Sequence, residues 1–104
     1  MFLIEKIANT EATLKQKSRY IHDGKQAWVS VPCMVFENRN ARLGMDETGR
    51  MTYGHVFFVA PLETDPSLPA QLEVGNRTFD VLDVKYYHDL SGENLGYRLK
   101  VAGS

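Results

Sequence analysis

The stretch Ala27-Trp-Val-Ser-Val-Pro-Cys-Met-Val-Phe36 constrains this chain more than any other. Its odd positions, Ala27, Val29, Val31, Cys33 and Val35, are all apolar, whereas the even positions mix Trp28, Ser30, Pro32, Met34 and Phe36. Side chains of an extended strand alternate between its two faces, so the odd set shares one face and that face is expected to be core. Pro32 has no N–H to give to a ladder and marks an edge, a bulge or a bend. Trp28 and Phe36 predict that the other face is covered too, by a second sheet or by a partner.

The same pattern recurs along the chain. Thr10 to Ile21 reads as a polar strand with Leu14, Tyr20 and Ile21 as its larger apolar residues, and Asp23-Gly24 is a tight-turn signal. Met51 to Ala60 ends in a near-continuous apolar run, which suits a strand buried on both faces. The following nine residues, 61–69, hold three prolines and predict a rigid connection rather than a helix. Ala70, Leu72 and Val74 alternate in a short strand before a Gly75-Asn76 turn. From Thr78 to Tyr87 the apolar parity slips by one, which predicts a bulge or bend near Val81-Leu82. A turn over Asp89–Asn94 leads to a last strand carrying Tyr97, Leu99 and Val101. At the N-terminus, Phe2, Leu3, Ile4 and Ile7 form a stripe that fits either a short helix or an extended arm.

Six short strands with little helix predict a mostly β fold, a small six-stranded barrel or sandwich in a single domain over 1–104. A closed sheet would also remove exposed edges. Between the second and third strands lie fourteen residues, Glu37 to Arg50, with dense charge and no period. They read as one long inter-strand loop, and loops beyond about 12 residues are usually functional or disordered.

Composition excludes several classes. Twelve Lys and Arg against thirteen Asp and Glu leave a formal charge of -1, so no strong field favours nucleic acid or an anionic membrane. No apolar run is long enough to span a bilayer. Glu5 and Lys6 interrupt the opening Met-Phe-Leu-Ile before it could act as a secretory signal. Cys33 is the only cysteine, which rules out an intramolecular disulfide and agrees with a reducing cytoplasm.

No constellation of catalytic or metal-ligating residues stands out. Cys33 lies on the apolar parity of its strand and is expected to be a small buried hydrophobe. His22, His55 and His88 fall in three separate segments without ligand spacing, so neither metal nor cofactor is expected. Asp89-Leu-Ser-Gly-Glu-Asn lacks the alternating ligands of a calcium loop. Lys15, Lys17 and Arg19 share a parity and form one basic stripe. A barrel binding single-stranded nucleic acid through these three is the alternative reading. The aromatics Trp28, Phe36, Tyr53, Tyr86, Tyr87 and Tyr97 exceed what one thin core needs, and such a surplus is common at interfaces.

The order of segments resembles a known family. Val-Pro-Cys-Met-Val-Phe, a long charged loop and then Val-Phe-Phe-Val-Ala-Pro looks like one half of a tailed-phage head–tail joining protein. Gly75-Asn-Arg-Thr-Phe-Asp-Val-Leu-Asp-Val, then Asp89-Leu-Ser-Gly-Glu and Gly96-Tyr-Arg-Leu-Lys-Val, resembles the other half. The similarity, to the head-closure (stopper or adaptor) group of phages and prophages, spans roughly residues 12 to 102. It implies a small β-barrel, made in the bacterial host cytoplasm and monomeric when free, that assembles into a ring beneath the portal of a DNA-filled head. Its partners would be portal or adaptor proteins, tail proteins and further copies of itself, with passage of DNA but no membrane. The long loop would carry the contacts: Arg39, Asn40 and Arg42 as polar groups, Leu43 or Met45 as the apolar anchor.

Overall fold

The computed structural model describes residues 4–22 and 25–103, without the side chains of residues 5, 6, 18–22 and 25–27. The expected Asp23-Gly24 turn, and Phe2 and Leu3 of the N-terminal stripe, lie outside the described residues. A short helix, α1 (Ile4–Ile7), precedes β1 (Thr10–His22), β2 (Lys25–Met45), β3 (Met51–Val59), β4 (Ala70–Val74), β5 (Arg77–His88) and β6 (Asn94–Gly103). All the strand pairs are antiparallel, and the sheet closes on itself as a barrel in the order β1-β2-β3-β6-β5-β4. The expected mostly β architecture is therefore what the chain adopts, and closure selects the barrel over the sandwich.

Strand parity fills the barrel. Ala12 and Leu14 of β1, Cys33 and Val35 of β2, Phe57 and Val59 of β3, and Leu72 of β4 point inward together with Phe79, Tyr97 and Leu99. Leu14 pairs with Val31 on one side and Leu72 on the other, so the period-two rule delivers matching faces across three strands. Each fully buried Val, Leu or Phe among them contributes about 1.5–3 kcal/mol. The parity slip in β5 is a real bulge: Val81 pairs with Val101 and Asp83 with Lys100, leaving Leu82 extra and exposed. Before it Phe79 and Val81 face inward, and after it Val84, opposite Leu99, packs against the core.

β2 departs from expectation at both ends. Of the odd positions in the Ala27–Phe36 stretch whose side chains are described, Cys33 and Val35 are buried. Val31 packs partly, and Val29, six residues before the first β2–β3 rung at Val35, is exposed. Trp28 and Phe36, expected to be covered, are 47% and 36% exposed in the single chain. At the other end, the fourteen-residue loop is not a loop. β2 continues to Met45 and pairs with β3 from Val35↔Val59 out to Met45↔Met51, so only a tight turn over 46–50 remains. Two register shifts, between Asn38 and Ala41 and between Arg42 and Gly44, destroy the alternation that would have marked a strand.

The turn closing this hairpin has a twin. Asp46 Oδ1 accepts hydrogen bonds from the Thr48 N–H (2.9 Å), the Thr48 hydroxyl (2.7 Å) and the Arg50 N–H (3.0 Å). Asp89 Oδ1 accepts the same set from Ser91 (2.9 and 2.7 Å) and Glu93 (2.9 Å). Asp-x-Thr/Ser-Gly is thus one turn used twice, and these bonds lower the pKa of both aspartates.

The proline-rich connection crosses one mouth of the barrel. Tyr97, fully buried, donates its hydroxyl to Asp65 Oδ1 (2.9 Å) and accepts from Asn94 Nδ2 (2.6 Å). The Tyr86 hydroxyl donates to the Pro66 carbonyl (2.7 Å), and Ser67 N–H donates to Gln16 Oε1 (3.1 Å). Buried Gln16 thereby gains a partner that the core could not offer.

Helix α1 docks where β6 lacks a side chain. Ile4 is 2% exposed and lies over Gly96, which takes φ +122. A Cβ at Gly96 would meet the Val59 carbonyl at 2.5 Å and Ile4 at 3.0 Å. Gly96→Ala is therefore expected to destabilise the fold by about 1–3 kcal/mol. Chemical denaturation measures the loss, and hydrogen exchange should show α1 released first.

Candidate functional site

Two strands outrun the barrel to build an arm. β3 pairs with β6 only over Val56–Val59, and β1 pairs with β2 no further than Thr10↔Val35 at this end. Among the described residues, the rungs from Ala41↔Gly54 to Met45↔Met51 therefore have no third strand beside them. They form a two-stranded ribbon projecting from the barrel, in a molecule measuring 48 × 33 × 27 Å. Its radius of gyration, 14.6 Å, exceeds the roughly 13 Å of a compact chain of this length.

The two faces of the arm differ. On one, Ala41 pairs with Gly54, and Leu43 folds across Gly54 so closely that a Cβ there would lie 2.6 Å from its Cδ1. Ala41 and Val56 are buried on this side. On the other, Arg42 pairs with Tyr53 and Met45 with Met51. Met45 is 71% exposed and Tyr53 52%, with Met51 also open to solvent. One face is therefore closed by its own packing, and the other presents three large apolar groups and a guanidinium.

The base of the arm is held by charge. Glu37 of β2 receives two hydrogen bonds from Arg77 at the start of β5, Nη1 to Oε2 at 2.9 Å and Nη2 to Oε1 at 3.1 Å. His55 Nε2 of β3 stands 2.8 Å from Oε2, and Arg39 Nε donates to the same oxygen at 3.2 Å. Arg77 also lies over the Phe79 ring at 5.3 Å, and His55 meets that ring edge-on at 4.9 Å. The network caps the second mouth of the barrel directly above Phe57 and Phe79. The Arg77 bonds, outweighing partial desolvation and reinforced by His55 and Arg39, pull the Glu37 pKa from 4.5 to about 2.

The residues expected to carry partner contacts occupy this arm but play different parts. Arg39 is drawn back to Glu37 at the base, though its side chain stays 72% exposed. The Asn40 N–H bonds to Asn38 Oδ1 within the first bulge. Arg42 and Met45 lie on the open face, whereas Leu43 is turned onto Gly54 and is not an exposed anchor. Met51 and Tyr53 join the open face by pairing, which no local spacing foretold. Of the basic stripe, Lys15 forms an ion pair with Glu73 at 2.7 Å and Lys17 lies 5.4 Å from the exposed Trp28 ring. The Arg19 side chain lies outside the described residues, as does that of His22.

Cys33 is 7% exposed, and its thiol contacts the Ala12 carbonyl at 3.7 Å. Burial pushes its pKa up to about 11. Among the described residues no three His, Cys, Asp or Glu side chains converge on one point. No protein-family model, curated protein or solved structure matches this chain.

Two outcomes follow from these geometries. The folded-state pKa of Glu37 lies below its unfolded value, so its stabilisation is complete above pH 4.5 and is lost as pH falls towards about 2. Glu37→Gln is expected to cost about 1–3 kcal/mol at neutral pH. Denaturant titrations of the two proteins should converge as the pH is lowered through that window. Cys33 is expected to resist thiol reagents in the folded protein and to react fully once urea unfolds it, and fast native labelling would contradict its burial.

Proposed function

We propose that this chain is a structural virion protein that joins the DNA-filled head of a tailed phage or prophage to its tail. It assembles as a ring between portal or adaptor and tail proteins and acts through the β2–β3 arm. The observation that carries this reading is the open face of the arm. Exposed aromatic, thioether and guanidinium groups gathered on a projecting ribbon are the composition of an interface centre rather than of a solvated surface. The arm occupies the place that the resemblance gives to the contact loop, between the Val-Pro-Cys-Met-Val-Phe and Val-Phe-Phe-Val-Ala-Pro strands. The protein is made in the host cytoplasm, resides in the virion, and holds its ring by contacts rather than by chemistry.

Single-stranded nucleic-acid binding is favoured by one observation, the stacking of Lys17 beside exposed Trp28. Against it, Glu73 neutralises Lys15 on the same stripe. Binding by that route would weaken steeply with salt.

The deciding experiment adds tagged protein to a lysate in which the particles assemble, and identifies captured proteins by mass spectrometry. A second bait carries Met45→Ser, Met51→Ser and Tyr53→Ser. The intact bait is expected to capture portal, adaptor or tail proteins, and the triple variant to capture at least about tenfold less. Capture of nucleic acid alone, or of no virion protein by either bait, would overturn the joining reading.

A further inference from the structure

We infer that the outer half of the arm is an attachment element for a second copy of this chain. The face bearing Arg42, Met45, Met51 and Tyr53 seats in a groove on the next copy's barrel. This deepens the joining reading, on which the ring rests, by naming the surfaces that would build it.

The groove has a volume of about 480 Å³ and opens on the outer side of β1 and β2 beside the β4–β5 turn. Pro32 and Met34 give it an apolar floor, and Glu11 and Glu73 give it a negative rim. Glu73 shares its charge with Lys15, but Glu11 has no ion pair among the described residues. The arm offers the complement, apolar groups of matching kind beside the Arg42 guanidinium. A two-stranded ribbon with both edges unpaired is marginal in water by itself, so the arm gains from being covered. The chain's formal charge of -1 puts almost no repulsion between copies.

Arm and groove are different surfaces of one molecule. Exchanged reciprocally their contact closes a two-fold dimer, and repeated from copy to copy it builds the closed ring that the joining reading requires.

The test uses purified full-length protein and no phage component. One variant carries Met45→Cys, another Thr13→Cys in the groove, and Cys33 stays in place because it is buried. Under mild oxidation the mixture is expected to form the mixed disulfide at least about tenfold faster than either variant forms its own. Adding Arg42→Glu to the arm copy should remove that advantage, and adding Glu11→Arg to the groove copy should restore it. Equal rates for the mixture and the single variants, or no effect of the charge changes, overturn the inference. A mixed disulfide with no virion capture would uphold self-attachment and sink the joining reading. Virion capture with no preferred mixed disulfide would do the reverse.

Discussion

The height of the barrel is set by its shortest strand. β4 has five residues, pairs with β1 over Thr13–Gln16 and with β5 over Arg77–Asp80, and so allows only four rungs on either side. β3 and β6 likewise share four rungs. A closed barrel of that height cannot accommodate twenty-one residues of β2, which at roughly 3.3 Å per residue would reach about 66 Å if straight. The surplus must leave the barrel, and the bulges at Asn38–Ala41 and Arg42–Gly44 bend it as it goes. The arm is thus a consequence of closure around a short strand, not an insertion placed on top of it.

A ribbon leaving a barrel needs a fixed base, and the two mouths are closed by different chemistry. At one, hydrogen bonds of the Tyr97 and Tyr86 hydroxyls and of the Gln16 amide oxygen hold the proline-rich crossing, whose stiffness limits the entropy lost on docking. At the other, Glu37 gathers Arg77, His55 and Arg39 over the aromatic layer of Phe57 and Phe79. Three strands meet at that carboxylate, so the point where the arm departs is tied to β5 across the barrel mouth. An apolar plug would close the hole equally well. A charged one adds direction, because a bidentate guanidinium accepts a carboxylate in few orientations.

Much of the barrel was legible in single residues. The alternation Ala70, Leu72, Val74 marks β4 at its observed ends, and the parity slip at Val81-Leu82 names the bulge in β5. Cys33 falls on the apolar parity and is buried. The arm was hidden because its two bulges break the period on which strands are recognised, and because Arg39, Asn40 and Arg42 resemble solvated loop composition. Glu37 gave no signal: its partners His55 and Arg77 lie 18 and 40 residues away. Met51 and Tyr53 were visible only as strand residues, since their place on the arm's open face depends on register with Met45 and Arg42.

Local pattern alone determines that this chain is built of strands, which parity of β1, β4 and β6 turns inward, and where the Asp89 turn falls, because those properties depend on neighbours within a few residues. Only the tertiary structure decides that β6 lies beside β3, that a four-rung barrel expels the ends of β2, and that Glu37 anchors what is expelled. These are contacts between distant segments. They are chosen by the closure of the whole sheet, which removes its edges and buries one common core, and no short stretch of sequence contains that balance.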